Sequence, residues 1–193
     1  MVLAYTKVKV ELREISLRNR PPELYKASSK GTVPVLITAE NIVIDESLDI
    51  MLWALKNDKN QILLAREPSK ELEIIKINDT LFKKWLDRYK YHDRYPENTK
   101  QFYRIKCEEF LNKYESQLDT NNYLINNSIT LVDIAIFPFI RQLAHVDYKW
   151  FESNFQNLKI WLENFSSSDL FKSVMNKYPL WNLDEEILIV EFA

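Results

Sequence analysis

Two short stretches near the amino terminus, KGTVPVL at residues 30–36 and IDES at residues 44–47, decide the fold. In the first, Pro34 opens a run of strand-forming residues, and a proline at a strand start has no N–H to lose from the ladder. In the second, Glu46 and Ser47 stand at the start of an apolar helical pattern, where free N–H groups and the helix dipole favour an anion. The two stretches therefore predict a strand that begins with proline and a helix whose start can hold a charged ligand.

Outward from these stretches, the first 60 residues alternate between strand and helix signals. Apolar and charged residues alternate over Val8–Ile15, which is the period of a strand with one buried face. Pro22 can open a short helix, because its missing N–H costs nothing at the first helical position. Residues 42–44 favour a further strand, so the order is β-α-β-β-α. The polar stretch from Asn57 to Pro68 is predicted to be a linker.

From Ser69 onward every periodic segment is helical. Ser69 is placed to cap a helix of about 20 residues. Tyr103, Cys107 and Leu111 fall on one face of the next helix, and Thr130 with Asp133 forms an N-cap pair in front of a third. Further helices are predicted around residues 155–165 and after Ser168. The sequence thus predicts an α/β domain over residues 1–60 and an all-helical domain over residues 69–193.

Composition excludes several classes of chemistry. The chain has 193 residues and one glycine, whereas phosphate-binding loops and the nucleophile elbow each need at least two. One cysteine and two histidines cannot form a cysteine-rich zinc site or a three-histidine site, so no metal is expected. The net charge of −2 gives no reason to expect nucleic acid or a membrane as partner. Without a signal peptide or a long apolar run, the expected location is cytoplasmic.

The two stretches at residues 30–36 and 44–47 closely resemble the glutathione-binding half of glutathione transferases. The segment SITLVDIA at residues 128–135 resembles the buried, capped helix of the same family's second domain. The resemblance covers nearly the whole chain. It implies a thioredoxin-like first domain, a helical-bundle second domain and a two-fold homodimer.

The resemblance also assigns roles to five residues. In the family the proline is cis, and Val33 before Pro34 would make two main-chain hydrogen bonds to the cysteinyl unit of glutathione. Glu46 and Ser47 would hold the γ-glutamyl group, with its ammonium paired to Glu46. Arg20 aligns with a basic residue that some classes use near the bound peptide. The residues alone also allow an edge-strand proline, a solvated helix cap and an ordinary loop arginine.

Other reactive residues have simpler interpretations. Cys107 lies on an apolar helical face without a neighbouring basic residue, which is typical of a structural thiol. His145 follows a helix and is expected to interact with its C-terminal dipole, whereas His92 has no partner that the sequence identifies. Lys30 is a weaker candidate than Arg20 for a basic residue near the bound peptide. The basic and aromatic residues of 83–89 are expected to form a solvated helix face rather than a nucleic-acid surface.

Compared with the family, the chain starts late: residues 1–7 look like the last turns of the first helix. The family's first strand and loop, roughly 15 residues that carry the catalytic Tyr, Ser or Cys, have no counterpart here. Tyr5 stands at the wrong end of that helix, so no catalytic residue is assigned. The apolar tail Glu186–Phe192 is hypothesised to pair with the sheet in place of the missing strand.

The resemblance implies a protein that binds glutathione as cosubstrate and transfers it to, or exchanges thiols with, a small apolar electrophile. Because no catalytic residue is assigned, the enzymatic step stays open. The alternative is a non-catalytic scaffold for protein interaction on the same fold. Retention of Val33, Pro34, Glu46 and Ser47 favours ligand binding, whereas the late start favours the scaffold.

Overall fold

The computed structural model describes residues 1–56, 63, 68–183 and 186–191, and the chain divides into two compact units. The first unit comprises Met1–Gln61 and Asp169–Ala193, and the second comprises Ile62–Ser168. The sequence assigned residues 69–193 to one helical domain, whereas the chain after Ser168 packs with the first unit. The predicted linker lies almost wholly outside the described residues.

The first unit has the β-α-β-β-α order that the sequence predicts, preceded by one short helix and followed by a helix and a strand. Its elements are α1 Val2–Tyr5, β1 Val10–Glu11, α2 Pro22–Ala27, β2 Leu36–Ile37, β3 Val43–Ile44, α3 Ser47–Lys56, α10 Asp169–Ser173 and β4 Ile189–Val190. Pro22 opens α2, as predicted. Buried Ile50, Ala54 and Leu55 form the inner face of α3.

Two antiparallel strand pairs supply the sheet structure of this unit. In one, Leu36 is opposite Ile44 and Ile37 is opposite Val43. In the other, Val10 of β1 is opposite Val190 of the C-terminal tail. The predicted strand Val8–Ile15 is longer than the observed β1, because among the described residues the ladder with the tail comprises Val10 and Glu11.

The C-terminal tail is tied to the first strand by several kinds of contact. The Leu12 N–H donates to the Leu188 carbonyl at 2.8 Å, and the Trp181 N–H donates to the Glu14 carbonyl at 2.7 Å. Lys9 Nζ lies 2.8 Å from a Glu191 carboxylate oxygen. The tail therefore pairs with the strand on one side of the gap that it was hypothesised to fill. Among the described residues the tail does not pair with β2 or β3.

The second unit is helical. Its elements are α4 Pro68–Ile77, a π-helical turn Asn78–Phe82, α5 Lys83–Lys90, a 3-10 turn His92–Arg94, α6 Lys100–Leu118, α7 Leu131–Ala144, α8 Tyr148–Asn154 and α9 Gln156–Ser167. The stretch from α4 through α5 forms the long helix that the sequence predicts. Ser69 does not cap it, because the helix begins one residue earlier with Pro68, whose fixed φ suits the first helical position.

Asp133 anchors the start of α7. Its Oδ2 accepts hydrogen bonds from the Thr130 N–H and from the Thr130 hydroxyl, both at 2.9 Å. Its Oδ1 accepts from the Leu124 N–H at 2.8 Å and from Trp161 Nε1–H at 3.2 Å. Asp133 has no exposed surface. The predicted N-cap pair is therefore confirmed, and the same carboxylate also ties the preceding loop and α9 to the helix.

No helix among the described residues is both long enough and apolar enough to span a lipid bilayer.

Candidate functional site

The turn before β2 presents an accessible main chain. The Val33–Pro34 peptide bond is cis, as predicted. The Val33 side chain is 46% exposed, and Pro34 is also exposed. The main-chain N–H and C=O of Val33 make no hydrogen bond to any other described residue. This backbone edge is therefore open to an extended peptide ligand.

Four side chains form a polar cluster at the start of α3. Lys30 Nζ donates to Asp45 Oδ1 at 2.9 Å and to Glu46 Oε1 at 2.6 Å. The Ser28 hydroxyl donates to Asp45 Oδ2 at 2.6 Å. Lys30, Glu46 and Ser47 are exposed, and the Ile50 N–H donates to the Glu46 carbonyl at 3.0 Å. Glu46 thus stands directly before α3, where its carbonyl accepts the first helical hydrogen bond, while its side chain stays at the surface.

The charges of Lys30 and Asp45 in this cluster are stabilised by their neighbours. The hydrogen bond from Lys30 to Glu46, followed by that to Asp45, raises the pKa of the lysine. The hydrogen bond from Ser28, followed by that from Lys30, lowers the pKa of the Asp45 carboxyl. The cluster therefore sets the Lys30 ammonium beside the Asp45 carboxylate at neutral pH, with Glu46 Oε1 2.6 Å from Lys30 Nζ. Such a group offers partners to both ends of a zwitterion.

Gly31 shapes the turn that carries Lys30. Its φ of +60° lies in the left-handed region that residues with a side chain rarely adopt. A Cβ atom at this position would lie 2.3 Å from the Tyr25 ring. The Gly31 N–H closes the turn by donating to the Ser28 carbonyl at 3.1 Å. The single glycine of the chain therefore connects Ser28, Lys30 and the Val33 edge.

Arg20 lies in a different part of the first unit. It lines a cleft of about 320 Å³ together with Glu14–Ser16, Asn19, Pro21, Pro22, Leu180 and Trp181. None of the other four predicted ligand residues lines this cleft. The structure thus places the Glu46 side chain beside Lys30, three residues before Val33, and sets Arg20 beside Leu180 and Trp181 of the returning tail.

The remaining candidates are structural. Cys107 is buried, and its burial raises the pKa of the thiol, so the thiolate needed for exchange is disfavoured. His145 follows α7, and its Nδ1 lies 2.6 Å from the Arg141 carbonyl, as expected of a helix-end residue. His92 Nε2 lies 3.0 Å from the adjacent Asp93 carboxylate, a partner that the sequence did not identify.

The sequence does not indicate that Ser28, Lys30 and Asp45 belong to one polar cluster. Their contacts join residues 15 to 17 positions apart. No helical or strand period connects such positions, because a turn and a strand pair lie between them. The only available signal was the proximity of Lys30 to Gly31 inside the first motif.

Two family models match the chain. The model described as glutathione S-transferase, N-terminal domain, matches residues 1–61. The model described as glutathione S-transferase, C-terminal domain, matches residues 77–169. Together they cover most of the sequence, in the order that the family has.

Individual proteins are similar at low sequence identity. Elongation factor 1-gamma 3 of Oryza sativa subsp. japonica is 25% identical over 90% of this chain and 47% of its own length. The chain thus spans about half the length of the curated relative that it matches. The glutathione transferase URE2P6 of Phanerochaete chrysosporium, solved with oxidized glutathione, gives a TM-score of 0.77 at 18% identity, over 90% of this chain and 86% of that one. An epsilon-class glutathione S-transferase of the housefly, Musca domestica, gives a TM-score of 0.73 at 20% identity, over 89% of this chain and 82% of that one. These structures establish the fold that they share with the chain.

Proposed function

Because the chain belongs to the glutathione S-transferase family, we propose that its first unit binds glutathione. The observation that carries the proposal is the unpaired, exposed main chain of Val33 beside the charged cluster of Lys30, Asp45 and Glu46. An extended tripeptide with a zwitterionic end requires both features. The main chain recognises its backbone, and the charges recognise its γ-glutamyl group.

The γ-glutamyl group offers one carboxylate and one ammonium. The carboxylate is assigned to the Ser47 hydroxyl and the N–H groups at the start of α3, with Lys30 as its nearby cation. The ammonium is assigned to Glu46. Binding thus exchanges part of the Lys30–Glu46 pair for contacts with the ligand. The cost of this exchange is small, because exposed ion pairs contribute about 0–1 kcal/mol.

The cysteinyl and glycyl units follow along the turn. The Val33 N–H and C=O would pair with the cysteinyl main chain, as the family resemblance implies. The family resemblance also implies a place for Arg20 near the bound peptide. The reaction proposed for the bound thiol is transfer to, or exchange with, a small apolar electrophile, and no residue is assigned to activate the thiol.

The binding proposal is tested by titration calorimetry with glutathione and by retention on a glutathione matrix. Glu46→Gln removes one charged partner of the ligand, and we expect the Kd to rise by about tenfold or more, since hydrogen bonds to charged groups are worth about 1.5–3 kcal/mol. The matched control is Glu23→Gln, which removes a half-buried carboxylate from its pair with Lys26 in the same unit. Equal affinity in all three proteins, or no binding by the parent chain, would refute the assignment.

A second candidate function is a non-catalytic scaffold for protein interaction. The observation that favours it is the similarity to elongation factor 1-gamma 3, of which this chain spans about half. The two functions differ in a simple assay. A chain that neither binds glutathione nor turns over a nitroaromatic electrophile in its presence supports the scaffold, whereas turnover supports the transferase.

A further inference from the structure

Positive charge is concentrated between residues 83 and 104, in α5, the His92–Arg94 turn and the start of α6. This segment carries seven Lys and Arg against three Asp and Glu, a net charge of +4, whereas the whole chain has −2. The segment belongs entirely to the second unit. It is therefore a basic region on a chain that is acidic as a whole.

Aromatic rings organise these cations. Lys84 and Arg88 lie over Trp85, at 5.1 and 5.7 Å from the ring centroid. Lys90 and Arg94 lie over Tyr91, at 4.9 and 4.6 Å. Lys100 lies over Tyr89, at 5.6 Å. The five cations with these three rings are called the cation–aromatic patch below: Lys84, Arg88, Lys90, Arg94 and Lys100 over Trp85, Tyr89 and Tyr91.

Most of the patch is not neutralised. Arg88 lies 3.7 Å from a Glu97 oxygen. Within the part of the chain that the structure describes, none of the other four patch cations pairs with a carboxylate: Lys84, Lys90, Arg94 and Lys100. A ring attracts a cation and restricts its position, but it leaves the full charge in place. Four oriented positive charges are thus available to a partner.

We propose that the cation–aromatic patch is a docking surface for an acidic, extended polypeptide segment. The argument is charge complementarity: Lys90 and Arg94 lie 4.9 and 4.6 Å from the centroid of the same Tyr91 ring, so neighbouring carboxylates of one acidic segment can reach both cations at once. Nucleic acid fits less well. The chain's own cations cover Trp85 and Tyr91, so these rings are not open platforms for base stacking.

The test uses the full chain and a fluorescently labelled poly-glutamate peptide of about 10 residues, which extends over about 35 Å. Fluorescence anisotropy is recorded at low salt and at physiological salt. We expect saturable binding that weakens as salt rises. The double variant Lys90→Glu/Arg94→Glu should weaken binding by about tenfold, because two attractive contacts become repulsive.

The control is Lys113→Glu/Lys149→Glu, which changes the net charge equally at two exposed lysines of the same unit. It should change the peptide affinity by less than about twofold, and the conservative variant Lys90→Arg/Arg94→Lys should keep it. Matched urea midpoints establish that the variants fold. The proposal is overturned if the peptide does not bind, if the control weakens binding as much as the patch variant, or if an oligouridylate of equal length binds more tightly than the peptide.

Discussion

Removing the Asp133 carboxylate should be the most damaging single change in the second unit. In Asp133→Ala, four hydrogen bonds to this carboxylate are lost. The Thr130 hydroxyl can rotate toward another acceptor. The main-chain N–H groups of Thr130 and Leu124 and the Nε1–H of Trp161 cannot turn toward another acceptor. All three residues are at most 3% exposed.

The magnitude follows from these donors. Each buried donor without a partner costs about 1–3 kcal/mol, so three would cost about 3–9 kcal/mol in a rigid structure. Alanine leaves space for relaxation and for water, which lowers the cost. We therefore expect Asp133→Ala to lower the free energy of unfolding by about 3–5 kcal/mol, a large fraction of the 5–15 kcal/mol typical of a domain.

Two milder changes calibrate the result. Thr130→Ala removes only the hydroxyl and should cost about 1–2 kcal/mol, the usual range for losing an N-cap side chain. Asp133→Asn keeps an oxygen for Leu124 and Trp161 but sets an NH₂ group against the Thr130 N–H. Its cost should therefore lie between those of the other two variants.

The assay is urea unfolding followed by far-UV circular dichroism, which reports the helices that dominate the second unit. Because the chain has two units, the transition is compared with tryptophan fluorescence to check that it is two-state. A loss below about 1 kcal/mol for Asp133→Ala, or a loss no larger than that of Thr130→Ala, would contradict the proposed role of the carboxylate.

Three further predictions concern the turn, the tail and self-association. Gly31→Ala should lower the free energy of unfolding by about 1–2 kcal/mol, because φ is positive there. The double variant Tyr25→Ala/Gly31→Ala should recover only part of this lost stability. A loss under about 0.5 kcal/mol for Gly31→Ala would contradict the backbone argument. Deletion of residues 184–193 should speed hydrogen exchange of the Leu12 amide, which donates to the Leu188 carbonyl. Exchange of the Thr38 amide, which donates to the Ile42 carbonyl, should not change. Unchanged protection of the Leu12 amide would contradict the pairing of the tail with β1. A two-fold dimer is expected from the family resemblance. Leu81 lies after α4 and is 51% exposed, so Leu81→Asp should shift the dimer toward monomer in light scattering. A parent protein that is monomeric at micromolar concentration would refute the expected dimer.

Much of the fold could be predicted because its signals are local. The proline at 22, the cis Val33–Pro34 bond within its motif, and the Thr130–Asp133 pair each depend on residues a few positions apart. The helix period likewise identifies the buried face of α6, with Tyr103, Cys107 and Leu111. Errors occurred at boundaries, as at Ser69 and along Val8–Ile15, because a helix start depends on one residue and a strand length on its partner.

The sequence by itself determined the family, the order of elements and the residues from which a glutathione site is proposed, because short motifs with specific backbone needs carry that information. Only the tertiary structure decided which side chains meet. It brought Lys30 to Asp45 and Glu46, placed the tail strand beside Val10 and gave Asp133 two partners outside its own cap. Such contacts join residues far apart in the chain, and their geometry is set by turns and packing that no local pattern encodes.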